Sequence, residues 1–570
     1  MSLPDSAARG SATSDRTAPD RAVSARTAPD RAAPERAAPP SRRIPHPRRR
    51  PPLTERTRGP SLRRSLATAA LCFAVTAAIG LQSWVSGRVG GFDLGIFDQG
   101  MRSYAHFQLP HSAIKNYHHN FPAGFSLLGD HFSPILVLLT PLYWVWDDPR
   151  MLILAQSALF ALGVPVVRRI AARCLTATRL ATDRAVDAAG LLYAVGWPLC
   201  IAASTGFHEV AFAVPLTLLL LERGMARRYR SVALCAVLLL CTKEDLGLLV
   251  GAFGAVLALR SRRRRDVPGQ TLGVALLVLG PVCSLATIRW AIPALGGEPG
   301  YYWNYGSLGP DAGSALARVA AHPTLLLQAA TTPLIKPALL LWLLGTLVLL
   351  PLGSSTVLLA APLLAERLLS DNPNHWPVTH HYDAFLWPVL LVASLEAVGR
   401  WGRTGRPRMR RAARALGIGA ALCNLVATSC LGLYGLANPR IWSPPADRRA
   451  LIQAAALIPD GASVEADNNV APHLTARADV VIVDAVPHGR DYVLMRSAVR
   501  AFPFATVEEQ QQRIQLLLAH GYTAVWSRDG AVLLHRTQVE PIPGMTTPGV
   551  DGEPTRDIAP PDVGRNLFRG

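Results

Sequence analysis

Two carboxylates five residues apart, Asp93 and Asp98 in "GGFDLGIFDQGM", stand directly after the first long apolar run of the chain. A carboxylate held beside a hydroxyl takes its proton as a general base. The same stretch carries Arg102, His106, His111, Lys115, His118, His119, Asp130 and His131. Further ionisable sets follow later in the chain: "GFHE" with His208 and Glu209, "TKED" with Lys243, Glu244 and Asp245, the aromatic "YYWNYG" from Tyr301, the lone Lys336, and "NHWPVTHHYD" with His375, His380, His381, Tyr382 and Asp383. The chain has three lysines, and all fall in these segments; where arginine is the default cation, a lysine points to a need for a compact ammonium. The bland reading of each item is a helix cap, a polar turn or a solvated loop. The combination weighs more, because ionisable groups gathered at one membrane face are costly to keep there. The imidazoles are numerous enough to hold a divalent metal, but no HExxH or comparable spacing indicates one.

The elements that must position these residues are mostly transmembrane helices. Half of the 570 residues are apolar, and apolar runs of about 15–22 residues recur, the longest meeting the length a span requires. The formal charge of +19 is concentrated in clusters between alternate apolar runs, the pattern of cytoplasmic loops and not of a nucleic-acid-binding surface. About eleven spans are expected, near 66–86, 151–167, 187–203, 208–222, 231–243, 246–260, 271–290, 337–352, 355–370, 384–399 and 414–436. "FSPILVLLTPLYWVW" is read as interfacial or re-entrant, with Tyr143, Trp144 and Trp146 at headgroup level. "MARRYR", "RSRRRRD" and "GRTGRPRMRRAAR" then fall inside. The first loop, 87–149, and all histidines except His46 fall outside. The eight cysteines lie in or beside apolar runs without CxxC spacing and read as small buried residues.

Residues 1–65 are rich in Pro, Ala and Arg, lack an apolar signal-peptide core, and are expected to be a disordered cytoplasmic tail. The transmembrane domain is assigned to 66–437. After Asn438 the chain turns soluble in character. "ADRRALIQAAALI" reads as a helix, and "ASVEAD", "ADVVIVD" and "DYVLM" as strands. "TVEEQQQRIQLLLAHG" reads as a helix opened by a capping box of Thr506 and Glu509, and Asp529-Gly530 as the turn of a hairpin. Residues 438–537 are thus expected to form a small α/β domain on the outer face, followed by a loose tail over 538–570.

The segments "FDLGIFDQGM", "LLGDHFSPILVLLTPLYWVW", "ILAQSALFALGVPVVRR", "GFHEVAFAVPL", "CTKEDLGLLV" and "ASVEADNNVAPHLTAR" resemble the bacterial membrane proteins grouped as domain of unknown function 2079, over roughly residues 66–536. That architecture is similar to the C-type glycosyltransferases, whose resemblance implies a polytopic helical fold, a plasma-membrane location, a polyprenyl-phosphate sugar donor and a cell-envelope acceptor. It also implies an acid soon after the first span as general base. Asp93 matches that position, with Asp98 as the second candidate. Lys243, Arg102 or Lys336 would meet the donor phosphate. Asp130, His131, His208, Glu209, Glu244, Asp245, His380, His381 and Tyr382 complete the expected site. The adjacent acid pair of some C-type members is missing here. Two other readings stand beside this one. The first is a transporter, against which the ionisable residues gather at span ends and no inverted repeat is visible. The second is a non-catalytic assembly or binding protein of the envelope.

Overall fold

The computed structural model describes residues 60–546 apart from 123, 176–177, 179–181, 299 and 301. The tail expected over 1–65 lies almost wholly outside the described residues, as do His46, Tyr301 and the end of the tail expected over 538–570.

Each segment expected to span carries helix, but not each helix is long enough. Three early helices pass on length and apolarity: α1 (Leu62–Val85), α2 (Arg150–Leu175) and α3 (Asp183–Ser204). After the more basic α4 (Leu246–Arg263) come α5 (Val267–Ala294), α6 (His381–Gly402) and α7 (Pro407–Ala437). Among the described residues six helices therefore qualify, or seven if Thr324–Thr331 and Ile335–Gly345, bent by 75°, form one span. The expected count of about eleven is not reached. Where spans were expected at 208–222 and 231–243, the helices Ala213–Met225 and Tyr229–Leu240 have 13 and 12 residues. At 1.5 Å per residue they cover about 20 Å of a hydrocarbon core about 30 Å thick. The apolar part of α4 stops at Arg260, Arg262 and Arg263. The stretch expected at 355–370 divides into a 3₁₀ turn, Ser355–Ala360, and a short helix, Ala361–Leu369.

Tight packing marks the α4–α5 pair. A Cβ on Gly254 would strike the backbone of Leu277 and Gly273, and one on Gly280 would strike the backbone of Gly247 and Gly251. The two helices approach as closely as they do because these positions carry no side chain. The remaining surface of α5 and α7 turns apolar residues outward, among them Val278, Leu285, Ile418 and Leu422. Such a surface suits contact with lipid tails.

"FSPILVLLTPLYWVW" forms a 3₁₀ turn, Pro134–Leu139, leading into a six-residue helix, Thr140–Val145. Trp144 is exposed there, but Tyr143 is buried and donates a hydrogen bond of 2.8 Å to Asp98. Tyr143 is thus a core residue and not a headgroup-level anchor.

Near the C-terminus the chain builds one five-stranded sheet. Its strands are β1 (Ser463–Ala466), β2 (Asp479–Ile482), β3 (Tyr492–Arg496), β4 (Tyr522–Arg528) and β5 (Ala531–Arg536), in the order β2-β1-β3-β5-β4. Strands β1 to β3 are parallel, and β5 pairs antiparallel with both β3 and β4. Asp529 and Gly530 both take positive φ, as a tight two-residue hairpin turn demands. The helix Val507–Ala519 is capped by Thr506, whose hydroxyl accepts from the Glu509 amide at 3.1 Å. The Glu509 carboxylate reaches back to the amide of Ala505, one residue earlier than the capping box predicts.

Candidate functional site

The chain leaves α1 through an extended Gly90 and enters a single π-turn, Gly91–Gly95, that carries Asp93. This turn is fixed from the sheet. The Gly91 amide donates to the Asn468 carbonyl at 2.8 Å, and the Phe92 amide donates to the Asn468 side chain at 3.0 Å. A Cβ on Gly90 would lie 2.6 Å from Asn468 Nδ2, so glycine is what allows the approach. Gln99 adds a second tie, donating to the Val480 carbonyl at 2.9 Å.

Held in this way, the Asp93 side chain is 47% exposed, and its Oδ1 lies 3.3 Å from Nε2 of the buried His208. His208 stacks on His381 with ring centroids 3.5 Å apart, and Tyr382 leans on His381 at 4.3 Å. The "GFHE" turn is placed by Gln156 of α2, which donates to the Gly206 carbonyl at 2.6 Å and accepts from the His208 amide at 3.2 Å. The next residue, Glu209, faces Lys243 at 3.6 Å. Asp93 and Lys243 are therefore two side-chain contacts apart. His380 adds a buried Nε2 with no hydrogen-bond partner among the described residues. Burial holds the His380 imidazole below its ordinary value, with Asp93 pulling the other way.

Lys243 begins a second group through its neighbours in "TKED". Glu244 accepts from His131 Nδ1 at 2.8 Å and from the Phe132 amide at 3.0 Å. Burial works to raise the Glu244 carboxyl, but His131 and Lys243 more than offset it and hold it at about 2. Asp245, with one buried oxygen lacking a partner, goes the other way: burial outweighs Lys243, Glu244 adds repulsion, and the carboxyl rises to about 6. Asp130 pairs with Lys115 at 2.9 Å and with the Tyr302 hydroxyl, while the Tyr302 ring stacks on His131. A cavity of about 30 Å³ beside Asp130 and His131 has room for one water and not for a sugar ring.

Three expected members stand apart from these groups. Asp98 is fully buried, and its oxygens are taken by Arg102 at 2.9 Å and Tyr143 at 2.8 Å. Arg102 is shared between Asp98 and Asp147. Lys336 is buried, donates to the Ala329 carbonyl at 2.7 Å and lies over the Trp376 ring. Each is held by local contacts, away from the Asp93 and Lys243 groups. Three positioning residues escaped the sequence reading: Gln156, Asn468 and Arg367, the last pairing with Asp383 and donating to the His375 carbonyl at 2.8 Å. Gln156 had a signal, a lone amide within an apolar span. Asn468 had none, because its partner lies 376 residues away. Among the described residues no group of three or more His, Cys, Asp or Glu side chains is arranged to hold a metal ion.

The model of the family described as "Predicted membrane protein (DUF2079)" matches residues 88–533. The chain belongs to that family. The DUF2079 match opens just ahead of the Asp93 turn and closes within β5, so it takes in His208, Lys243, His381 and the Asn468 tie. No curated protein matches. Among solved structures, the crystal structure of ArnT from Cupriavidus metallidurans bound to undecaprenyl phosphate is similar at 14% identity, over 82% of this chain and 98% of that one, with a TM-score of 0.43.

Proposed function

We propose that this protein is a membrane glycosyltransferase that moves a sugar from a polyprenyl-phosphate donor to an acceptor hydroxyl outside the cytoplasm, with Asp93 as general base. The observation that carries the reading is the half-exposed Asp93 carboxylate, pinned on one oxygen by the buried His208 and two contacts from Lys243. Pinning one oxygen orients the carboxylate, and the other stays open to an approaching hydroxyl. In the reaction Asp93 takes the acceptor proton as the acceptor oxygen bonds to the anomeric carbon. The bond from that carbon to the phosphate oxygen breaks, and its electron pair leaves with the polyprenyl phosphate. The leaving group requires positive charge more than a proton, and Lys243 supplies it. Glu209 at 3.6 Å leaves the ammonium hydrogens free to turn towards a phosphate. His380, His381 and Tyr382 would line the sugar side of the same turn.

The test uses membranes from cells lacking the protein, supplemented with wild type or Asp93→Asn and a radiolabelled polyprenyl-phosphate sugar. Asparagine keeps the shape but takes no proton, so transfer should fall by about 10²–10⁴ while donor binding persists. Equal transfer by the two proteins removes Asp93 as base. No transfer by wild type from any donor removes the enzyme reading and leaves an envelope binding protein.

A further inference from the structure

At the far end of the same helices lies a cavity of about 710 Å³, within the range of ligand sites. Three helices measure the separation. Along α2, Gln156 supports His208 while Arg173 lines the cavity; along α4, Asp245 precedes the first turn while Arg260 lines it; along α6, His381 opens the helix while Arg400 lines it. The two sites are thus about 25 Å apart along the helix axes at 1.5 Å per residue.

The lining is arginine against few acids. Arg173, Arg227, Arg260 and Arg403 are joined there by Arg263, Arg264 and Arg400, while Asp266 and Glu396 are the carboxylates. Part of this charge has local work. Arg173 donates to the Glu222 carbonyl and Arg403 to the Cys174 carbonyl, which offsets the negative ends of two helices. Arg260 is locked against Glu396 at 2.8 Å and accepts no freedom from its neighbours, since Ser355 and Thr356 each take a hydrogen bond from it at 2.9 Å. Arg227 leans on Asp266. The guanidinium groups of Arg263, Arg264 and Arg400 have no hydrogen bond or ion pair among the described residues. Three exposed guanidinium groups thus line the same cavity as the hydroxyls of Ser354, Ser355 and Thr356 without being tied to a protein group. Leu221, Phe253, Val256 and Leu257 form an apolar wall beside them.

We propose that this cavity is an anion site for a phosphomonoester, either the headgroup of an anionic lipid, with its chain on the apolar wall, or a free phosphate compound. Guanidinium forks match phosphate oxygens in geometry as well as charge, and basic pockets between membrane helices suit phosphate headgroups. The site is separate from the Asp93 group and does not depend on the glycosyltransferase reading.

The test is binding to the full-length purified protein in phosphatidylcholine nanodiscs, with glycerol 3-phosphate and short-chain phosphatidic acid as separate probes. Arg263→Gln, Arg264→Gln and Arg400→Gln together should weaken binding at least about tenfold, since each removes a charge-assisted hydrogen bond. Arg262→Gln with Arg265→Gln, neighbouring arginines that are equally exposed but do not line the cavity, should leave it unchanged. Binding of phosphatidic acid alone identifies the lipid as source, and binding of both probes identifies the phosphate group itself as sufficient. Binding of neither overturns the proposal. An equal loss in the Arg262 and Arg265 control overturns it as well, because the effect is then general surface charge.

Discussion

Asp93 and Asp98 are both aspartates, five positions apart, in opposite surroundings. Asp93 is half exposed with one oxygen on His208, whereas Asp98 is sealed under Arg102 and Tyr143. Asp98→Asn should therefore read out as lost stability, costing about 1.5–3 kcal/mol for a hydrogen bond to a charged group. A lower melting temperature with transfer preserved in the folded fraction checks this. Asp245 offers a pH prediction. Its carboxyl is raised by burial from 3.8 to about 6, so the folded protein keeps that proton to a higher pH than the unfolded chain. The stabilising contribution is complete below 3.8 and is lost as pH rises towards 6. Melting temperatures taken from pH 4 to 7 should fall more steeply with pH for wild type than for Asp245→Asn; parallel curves would reject the raised value. Residue types and spacing drew attention to the Asp93, His208 and Lys243 segments, which lie together in the fold. They did not show that Asp98 is buried while Asp93 is half exposed, since one partner of Asp98, Tyr143, lies 45 residues further on.

At the scale of elements, the glycines of α4 and α5 do what side-chain chemistry does elsewhere. A Cβ on Gly254 would meet the backbone of Leu277 and Gly273, which cannot rotate aside. Gly254→Leu should separate the two helices and cost at least the 1–3 kcal/mol of an overpacked core, about the scale at which a membrane protein loses yield. Because α4 begins directly after Asp245 and α5 supplies Ser284, which donates to the Glu244 carbonyl, the "TKED" turn should shift with it. Detergent-solubilised yield and melting temperature measure the first effect. The mild counterpart Gly254→Ala should be intermediate. Hydropathy located the helices well, and the turn chemistry of Asp529-Gly530 and Thr506 located the late hairpin and helix. Against the expected count of about eleven stand six or seven helices of spanning length and apolarity among the described residues, because 12- and 13-residue apolar helices such as Ala213–Met225 read as spans in a window but fall short of the usual span length. The Asn468 tie was illegible because a hydrogen bond across 376 residues leaves no local pattern.

For the whole molecule the helices share a polarity. The starts of α4 and α6 carry Asp245 and His381, and their ends carry Arg260 and Arg400. The sheet is fastened to the acidic end through Asn468 and Gln99. Clustered arginines are retained on the cytoplasmic side of a membrane during insertion, whereas acidic residues exert little such hold. This polarity predicts that the sheet and the Asp93 turn lie outside the cytoplasm and the arginine cavity inside it. The decisive measurement is labelling of intact cells with a membrane-impermeant thiol reagent, in a background lacking the eight native cysteines. Asp460→Cys, on the exposed approach to β1, should label in intact cells. Arg262→Cys, beyond the apolar part of α4, should label only after the membrane is opened. The reverse pattern would place Asp93 in the cytoplasm. An acceptor outside the cell would then be out of its reach, while the arginine cavity, whose proposal rests on its own lining, would face the outer leaflet.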